Sequence, residues 1–377
     1  MPERTVVILI DALGDVIARE HRFDPPSLGH RTRLRTVLGF SQAALTSIMT
    51  GATPAEHGLW MMYRFDRRHS PFRFAGALAP VGGARRRWIR DLIRWKLSRI
   101  DRVTGYYSLY DVPAGILARL DIPARRSIFE IGGGGRRRSV LDEAALQGEV
   151  FLREFHTPAE QAFDDLEEAL RSGRTSFHLL YTAELDSALH ASGTKDRSIG
   201  ERLAAFGERI DRIAREYTDV RLLVLGDHGM CDVTESVDVM GAVQRARIAS
   251  LRNMTPFYDS TMARFAVTEG HTRRRLEELL SSLTGGRLLT ESEREALGVP
   301  PPGAGYGDVI FLCDPGTIIL PSHMSSEPVA AMHGYHPDAP CMDSLLLSRD
   351  PIPAGVSTIC DVAPLIMPGF TGGEAES

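Results

Sequence analysis

The chain has 377 residues, a formal net charge of −5, 43% hydrophobic and 25% charged residues. This length exceeds a usual single core, so one large domain with insertions or two domains is expected, while the composition excludes disorder and fibrous repeats. The negative balance excludes a global pull on nucleic acid, and the short runs Arg85 to Arg87 and Arg136 to Arg138 read as solvated faces.

From the N-terminus, Val6 to Ile10 form an unbroken aliphatic run, the pattern of a strand buried on both faces, and the run delivers Asp11 at its end. Gly39-Phe40-Ser41 turns into an apolar helix over Gln42 to Thr50. The stretch from Tyr63 to about Leu146 is rich in Arg, Gly and aromatic residues, with Trp88, Ile89, Leu92, Ile93 and Leu97 at helical spacing. A helix is predicted over Pro158 to Ser172, then a strand over Phe177 to Tyr181 that runs into Asp186 and His190. Next comes a helix over Arg197 to Tyr217 with Leu203, Phe206, Ile210 and Ile213 on one face, and a strand over Arg221 to Gly226 that ends at Asp227-His228. Asp238 to about Tyr306 interrupts the alternation with a strand over Ala263 to Val267 and a helix around Thr272 to Leu283, and the tail from Gly369 is expected to fray. Strands alternating with helices predict an α/β fold: a mostly parallel central sheet with helices on both faces. We read residues 1–377 as one such domain, with inserted cap segments at about 63–146 and 238–306 that would choose the substrate.

The four cysteines, Cys231, Cys313, Cys341 and Cys360, are widely spaced without CxxC pairing, so neither a disulfide framework nor a thiolate zinc site is expected. No charged leader with an apolar core and cleavage site is present, and Thr5 to Ile10 is too short to span a bilayer. A cytoplasmic protein without membrane or nucleic-acid partners is expected.

Three apolar strands thus end on acids at the sheet edge where α/β proteins bind ligands. Divalent cations that promote phosphoryl chemistry need carboxylates and imidazoles converging there. Asp11, Asp186 with His190, Asp227 with His228, and His333 could supply them. Singly, an Asp after a strand is commonly an N-cap and a lone His a structural residue. Asp186 and His190, four apart, share one helix face, and adjacent Asp227 and His228 follow an apolar strand directly. Ser41 at a helix start reads either as an N-cap or as a nucleophile whose helix amides receive phosphoryl oxygens.

These blocks in order, from Asp11 through Ser41 to Gly51 with Pro54 and His57-Gly58, to Asp186 with His190, Gly226-Asp227-His228-Gly229 and His333-Gly334-Tyr335, resemble the motifs of the alkaline phosphatase superfamily. The likeness is closest to the type I phosphodiesterase and nucleotide pyrophosphatase branch and spans Val6 to Leu365. It implies an alkaline phosphatase-like fold and a hydrolase of phosphoric esters acting through Ser41 and two divalent metal ions. Asp186, His190 and His333 would bind one ion and Asp11, Ser41, Asp227 and His228 the other, with His336 a substrate contact and His57 structural. Zinc suits this donor set, with manganese the alternative. The substrate would be a small phosphorylated molecule: a monoester, or in the alternatives a diester, a nucleotide pyrophosphate or a phosphonate. Phosphomutases share the resemblance; sulfatases do too, but their Cys/Ser-x-Pro-x-Arg setting is absent around Ser41. The rival from another class is a non-catalytic, metal-stabilised binding protein. Two positions depart from the branch: its usual threonine nucleophile is Ser41, and its oxygen-binding asparagine aligns with Met62, whose thioether donates no hydrogen bond. Arg64, Arg67, Arg68 and Arg73 are the nearby donors that could replace it.

Overall fold

A computed structural model describes residues 4–74, 87–109, 112–154, 156–248 and 251–375; the side chains of Arg87, Trp88 and Ile89, and with them the Arg85 to Arg87 run, lie outside what is described. Six strands make the central sheet: β1 (Arg4–Ile10), β2 (His30–Leu34), β3 (Val150–Arg153), β4 (Phe177–Thr182), β5 (Val220–Leu225) and β6 (Ser344–Ser348), in the order β2-β6-β5-β1-β4-β3. β1 pairs in parallel with β4 and β5, β3 pairs in parallel with β4, and β6 runs antiparallel to both β5 and β2. Because side chains alternate across a strand, Val7 and Leu9 enter one core with the Ser41–Thr50 helix. Val6, Ile8 and Ile10 enter another with the Ala159–Ser172 and Arg197–Glu216 helices. Both faces are covered, which is why β1 carries no polar alternation.

A second, four-stranded antiparallel sheet is built from Met254–Tyr258, Met262–Val267, Val309–Cys313 and Gly286–Leu288, with the Gly270–Ser281 helix packed over its own core. Of these strands the pattern in the sequence showed one. A further core gathers Tyr63, Phe72, Ile93 and Leu97 around Phe257. Ile93 and Leu97 come from the Arg87–Arg99 helix, whose Leu92 is instead 42% exposed. Among the described residues no helix is long and apolar enough to cross a membrane.

Two expectations are overturned. Cys231 and Cys341 form a disulfide across 110 residues of sequence, while Cys313 and Cys360 stay free. Spacing hid this bridge because its ends meet only when the strand pair Cys231–Asp232 and Ala331–Met332 forms beside the turn before β6. The tail does not fray through Ala375: Arg138 N–H donates to Gly373 O at 2.9 Å and Ala375 N–H to Arg136 O at 3.0 Å. Arg137 and Arg138 meet Glu56 and Glu143 at 3.6 and 3.2 Å, so that run is engaged within the fold.

Candidate metal centre

At the C-terminal ends of β1, β4 and β5 the predicted acids and imidazoles form two groups: Asp11, Asp227 and His228 in one, Asp186, His190 and His333 in the other. The ligand atoms within each group lie within 4.8 Å of one another. The groups adjoin, since the His228 and His333 rings stack with centroids 3.8 Å apart. The six predicted carboxylate and imidazole residues are therefore brought together.

The Asp227-His228 turn needs its flanking glycines. A Cβ at Gly226 would sit 2.2 Å from Leu13 O, and one at Gly229 2.1 Å from Cys341 O, because neighbouring segments pass directly against the backbone. Asp227 Oδ1 accepts the N–H groups of Ala12 and His228, both at 3.0 Å, which leaves Oδ2 buried without a partner. Asp11 Oδ2 accepts the Tyr181 hydroxyl and its Oδ1 is likewise buried and unpartnered, as are Asp186 Oδ1 and His333 Nδ1. His228 Nδ1 donates to Gly229 O at 2.9 Å and His190 Nδ1 to Ala331 O at 2.8 Å. These bonds turn the Nε2 lone pairs inward. His228 Nε2 then faces Asp11 Oδ1 and Asp227 Oδ2 at 3.3 Å each, and His190 Nε2 faces Asp186 Oδ1 at 3.3 Å. Buried acceptors aimed at one another with no donor between them are costly unless a cation completes the set, so the residues fit divalent ions.

Electrostatics agree. Burial, then the charges of Asp227 and Asp186, raise the Asp11 carboxyl well above its usual range, and burial pushes Asp227 up to about 7. Burial and the neighbouring His228 and His190 hold His333 well below 6.5. At His190 burial works against the charged ring, but the Asp186 carboxylate 3.3 Å away outweighs it and raises the pKa.

Ser41 is the first residue of its helix, not the cap: Phe40 holds the N-cap position, and Ser41 Oγ lies 3.0 Å from His228 Nε2. Phe40 meets the His333 ring edge-on at 5.5 Å. His336 belongs to neither group; it is 21% exposed, with its Nδ1 accepting the Asp338 N–H at 3.2 Å. Met62 Sδ accepts the Ser108 N–H at 3.3 Å and its side chain packs on the core around Tyr63. Of the four arginines named as its substitutes, Arg64 pairs with Asp121 at 3.0 Å, whereas Arg67, Arg68 and Arg73 line a separate cavity. Two residues escaped the sequence reading. Tyr181 holds Asp11, a contact set by the Leu9 to Tyr181 register of β1 and β4. Gln42, next to Ser41, has a buried side-chain amide with neither nitrogen nor oxygen partnered.

His57 is structural, as expected. It is fully buried, accepts the Leu59 N–H at Nδ1 and lies 3.1 Å from Ser47 Oγ through Nε2. Burial lowers its pKa from 6.5 to about 3. The unfolded imidazole therefore takes a proton that the folded one refuses, so this contribution is whole above pH 6.5 and is lost as pH falls. Metal-free protein is expected to lose about 2 kcal/mol from this residue between pH 6.5 and 5. Denaturant titrations of wild type and His57→Gln check this, the variant showing the flatter dependence.

The family model for type I phosphodiesterase / nucleotide pyrophosphatase matches residues 40–336, most of the chain. Murine ectonucleotide pyrophosphatase/phosphodiesterase 5 superposes with a TM-score of 0.65 at 13% identity, covering 96% of this chain and 94% of that one. An inactive variant of the murine protein in complex with AMP gives 0.66 at 13% identity, with the same coverage of 96% and 94%. The human counterpart gives 0.60 at 14% identity, again over 96% and 94% of the two chains. These likenesses support the α/β architecture described above. No curated protein matches the chain.

Proposed function

The chain belongs to the type I phosphodiesterase / nucleotide pyrophosphatase family and is a hydrolase, and from that premise we propose that it cleaves phosphoric esters through a covalent intermediate on Ser41. The observation that carries this reading is the Ser41 hydroxyl, 3.0 Å from His228 Nε2, at a cluster of buried and unpartnered carboxylate oxygens. Asp11, Ser41, Asp227 and His228 would hold one divalent cation and Asp186, His190 and His333 the other, zinc by donor set with manganese the alternative. Bound there, such cations lower the pKa of the alcohol and offset charge on the transferring phosphoryl group. Ser41 Oγ bonds to phosphorus as the ester oxygen leaves, and water then displaces Ser41 and restores the alcohol. The Ser41 and Gln42 N–H groups, which precede the Ala43 and Ala44 N–H groups that donate to Phe40 O at 2.8 and 3.2 Å, receive the phosphoryl oxygens. Rapid quench of the metal-loaded protein with a chromogenic ester should show a burst and phosphoserine at Ser41; absence of both refutes the intermediate.

We assign to Gln42 the amide donor that Met62 cannot supply, because its side-chain nitrogen is buried, unpartnered and next to the nucleophile. Gln42→Leu is expected to lower kcat about 10²-fold with metal content unchanged, and an unaltered kcat removes the assignment. His336 is kept as a substrate contact. Cleavage of nucleotide diester or pyrophosphate bonds is the second reading, favoured by the family match and by AMP in a structural neighbour. Comparing kcat/KM for a monoester, a diester and a phosphonate ester decides the class. The inserted segments at about 63–146 and 238–306 are proposed as caps over the centre. The cytoplasmic placement is carried as a proposal, and the Cys231–Cys341 bridge, of a kind that oxidising compartments preserve, argues against it. Cell fractionation decides between them.

A further inference from the structure

Arg67, Arg68, Arg73 and Arg119 line one cavity of about 890 Å³ together with Phe74, Gly115 and Ala118, none of them a residue of the metal centre. Among the described residues no ion pair engages any of these four guanidinium groups. The nearby carboxylates are engaged elsewhere: Asp121 by Arg64 at 3.0 Å and Arg125 at 2.5 Å, and Asp66 by His69 at 2.7 Å. The backbone that carries the arginines is tied down. Asp66 Oδ1 accepts the Arg68 N–H at 2.9 Å, the Asp66 N–H donates to Arg119 O at 3.0 Å, and Arg73 Nη1 donates to Arg68 O at 3.5 Å. Burial and the charge of Arg67 both hold Arg119 below the usual guanidinium value, as expected for like charges gathered without a counterion.

We propose that this cavity is a binding site for a diphosphate-type anion, distinct from the metal centre and independent of the Ser41 mechanism. Guanidinium forks match phosphate oxygens two at a time, and several of them facing one space suit more than one phosphoryl group. Phe74 and the wall at Gly115 and Ala118 provide an apolar side against which an organic remainder can rest. The anion comes either from the distal phosphates of the substrate or from a free phosphorylated effector.

The test uses methylenediphosphonate, a non-hydrolysable diphosphate, in calorimetric titrations of the metal-loaded protein. Wild type should show a salt-sensitive site that is at least about tenfold weaker in Arg67→Gln/Arg119→Gln, beside a metal-centre site unchanged by that substitution. The same variant should hydrolyse a chromogenic monoester at the wild-type rate, which shows that it is folded. A raised KM for a diphosphate-containing substrate alone identifies the substrate's own phosphates as the ligand; an unchanged KM identifies a free effector. Equal stoichiometry and affinity in variant and wild type, or a wild type that binds only at its metals, overturns the proposal. The readout is binding, so it stands or falls whether or not a Ser41 intermediate is trapped.

Discussion

Ser41→Ala is expected to lower kcat for phosphoric ester cleavage by at least about four orders of magnitude, while at saturating metal the remaining ligands Asp11, Asp227 and His228 keep the ion and the thermal midpoint stays at its wild-type value. The asymmetry follows from where the hydroxyl sits. It caps no helix, since Phe40 occupies that position, and its polar neighbour is His228 Nε2 at 3.0 Å. Removing one half-buried oxygen is therefore expected to cost little folding energy while taking away the atom proposed to bond to phosphorus. Ser41→Thr, which keeps the alcohol and restores the branch's usual residue, should retain turnover. Steady-state rates beside metal analysis decide the matter: wild-type turnover by the alanine variant would end the nucleophile assignment.

Chelation is expected to silence the enzyme, and Asp227→Asn and Asp186→Asn should each cost several kcal/mol of transition-state stabilisation, at least about 10³-fold in rate. Both changes are isosteric. In Asp227→Asn the amide oxygen can still accept the Ala12 and His228 N–H groups, so the turn survives while the charge on the unpartnered side of the carboxylate is lost. Each variant should bind about one ion fewer than wild type by elemental analysis. Asp227→Asn should also lose the burst, because its cluster is the one that contains Ser41. Chelated wild type should melt at a lower temperature, since Asp11, Asp186 and Asp227 then repel one another without cations that bind only the folded state. Full activity in metal-depleted protein would remove the two-ion reading.

The parts of the fold legible in the sequence are those where physics leaves one option. β1, β4 and β5 are covered on both faces, so they read as unbroken apolar runs, and their ends place Asp11, Asp186 and Asp227 at a single rim. β2, His-Arg-Thr-Arg-Leu, went unseen because it is an edge strand, largely half-exposed and paired only with β6. The antiparallel sheet was mostly hidden too: the pairings of Val309–Cys313 with Met262–Val267 and with Gly286–Leu288 join segments far apart in sequence, and the three-residue strand Gly286–Leu288 carries no periodicity. Within the site the candidate ligands were legible as residue types, several of them at strand ends. Their supports were not. Tyr181 reaches Asp11 only through the β1 and β4 register, and the orphaned amide of Gln42 is a property of packing.

The Cys231–Cys341 bridge and the short strand pair beside it join the arm that follows Asp227 and His228 to the arm that follows His333. One arm follows residues of the Asp11, Asp227 and His228 group, the other follows a residue of the Asp186, His190 and His333 group. The spacing of the two ligand groups is thus held in part by a covalent staple in the polypeptide. On the proposed two-ion reading, exchanging one kind of ion for another is expected to alter the chemistry at the centre more than the spacing of its ligands.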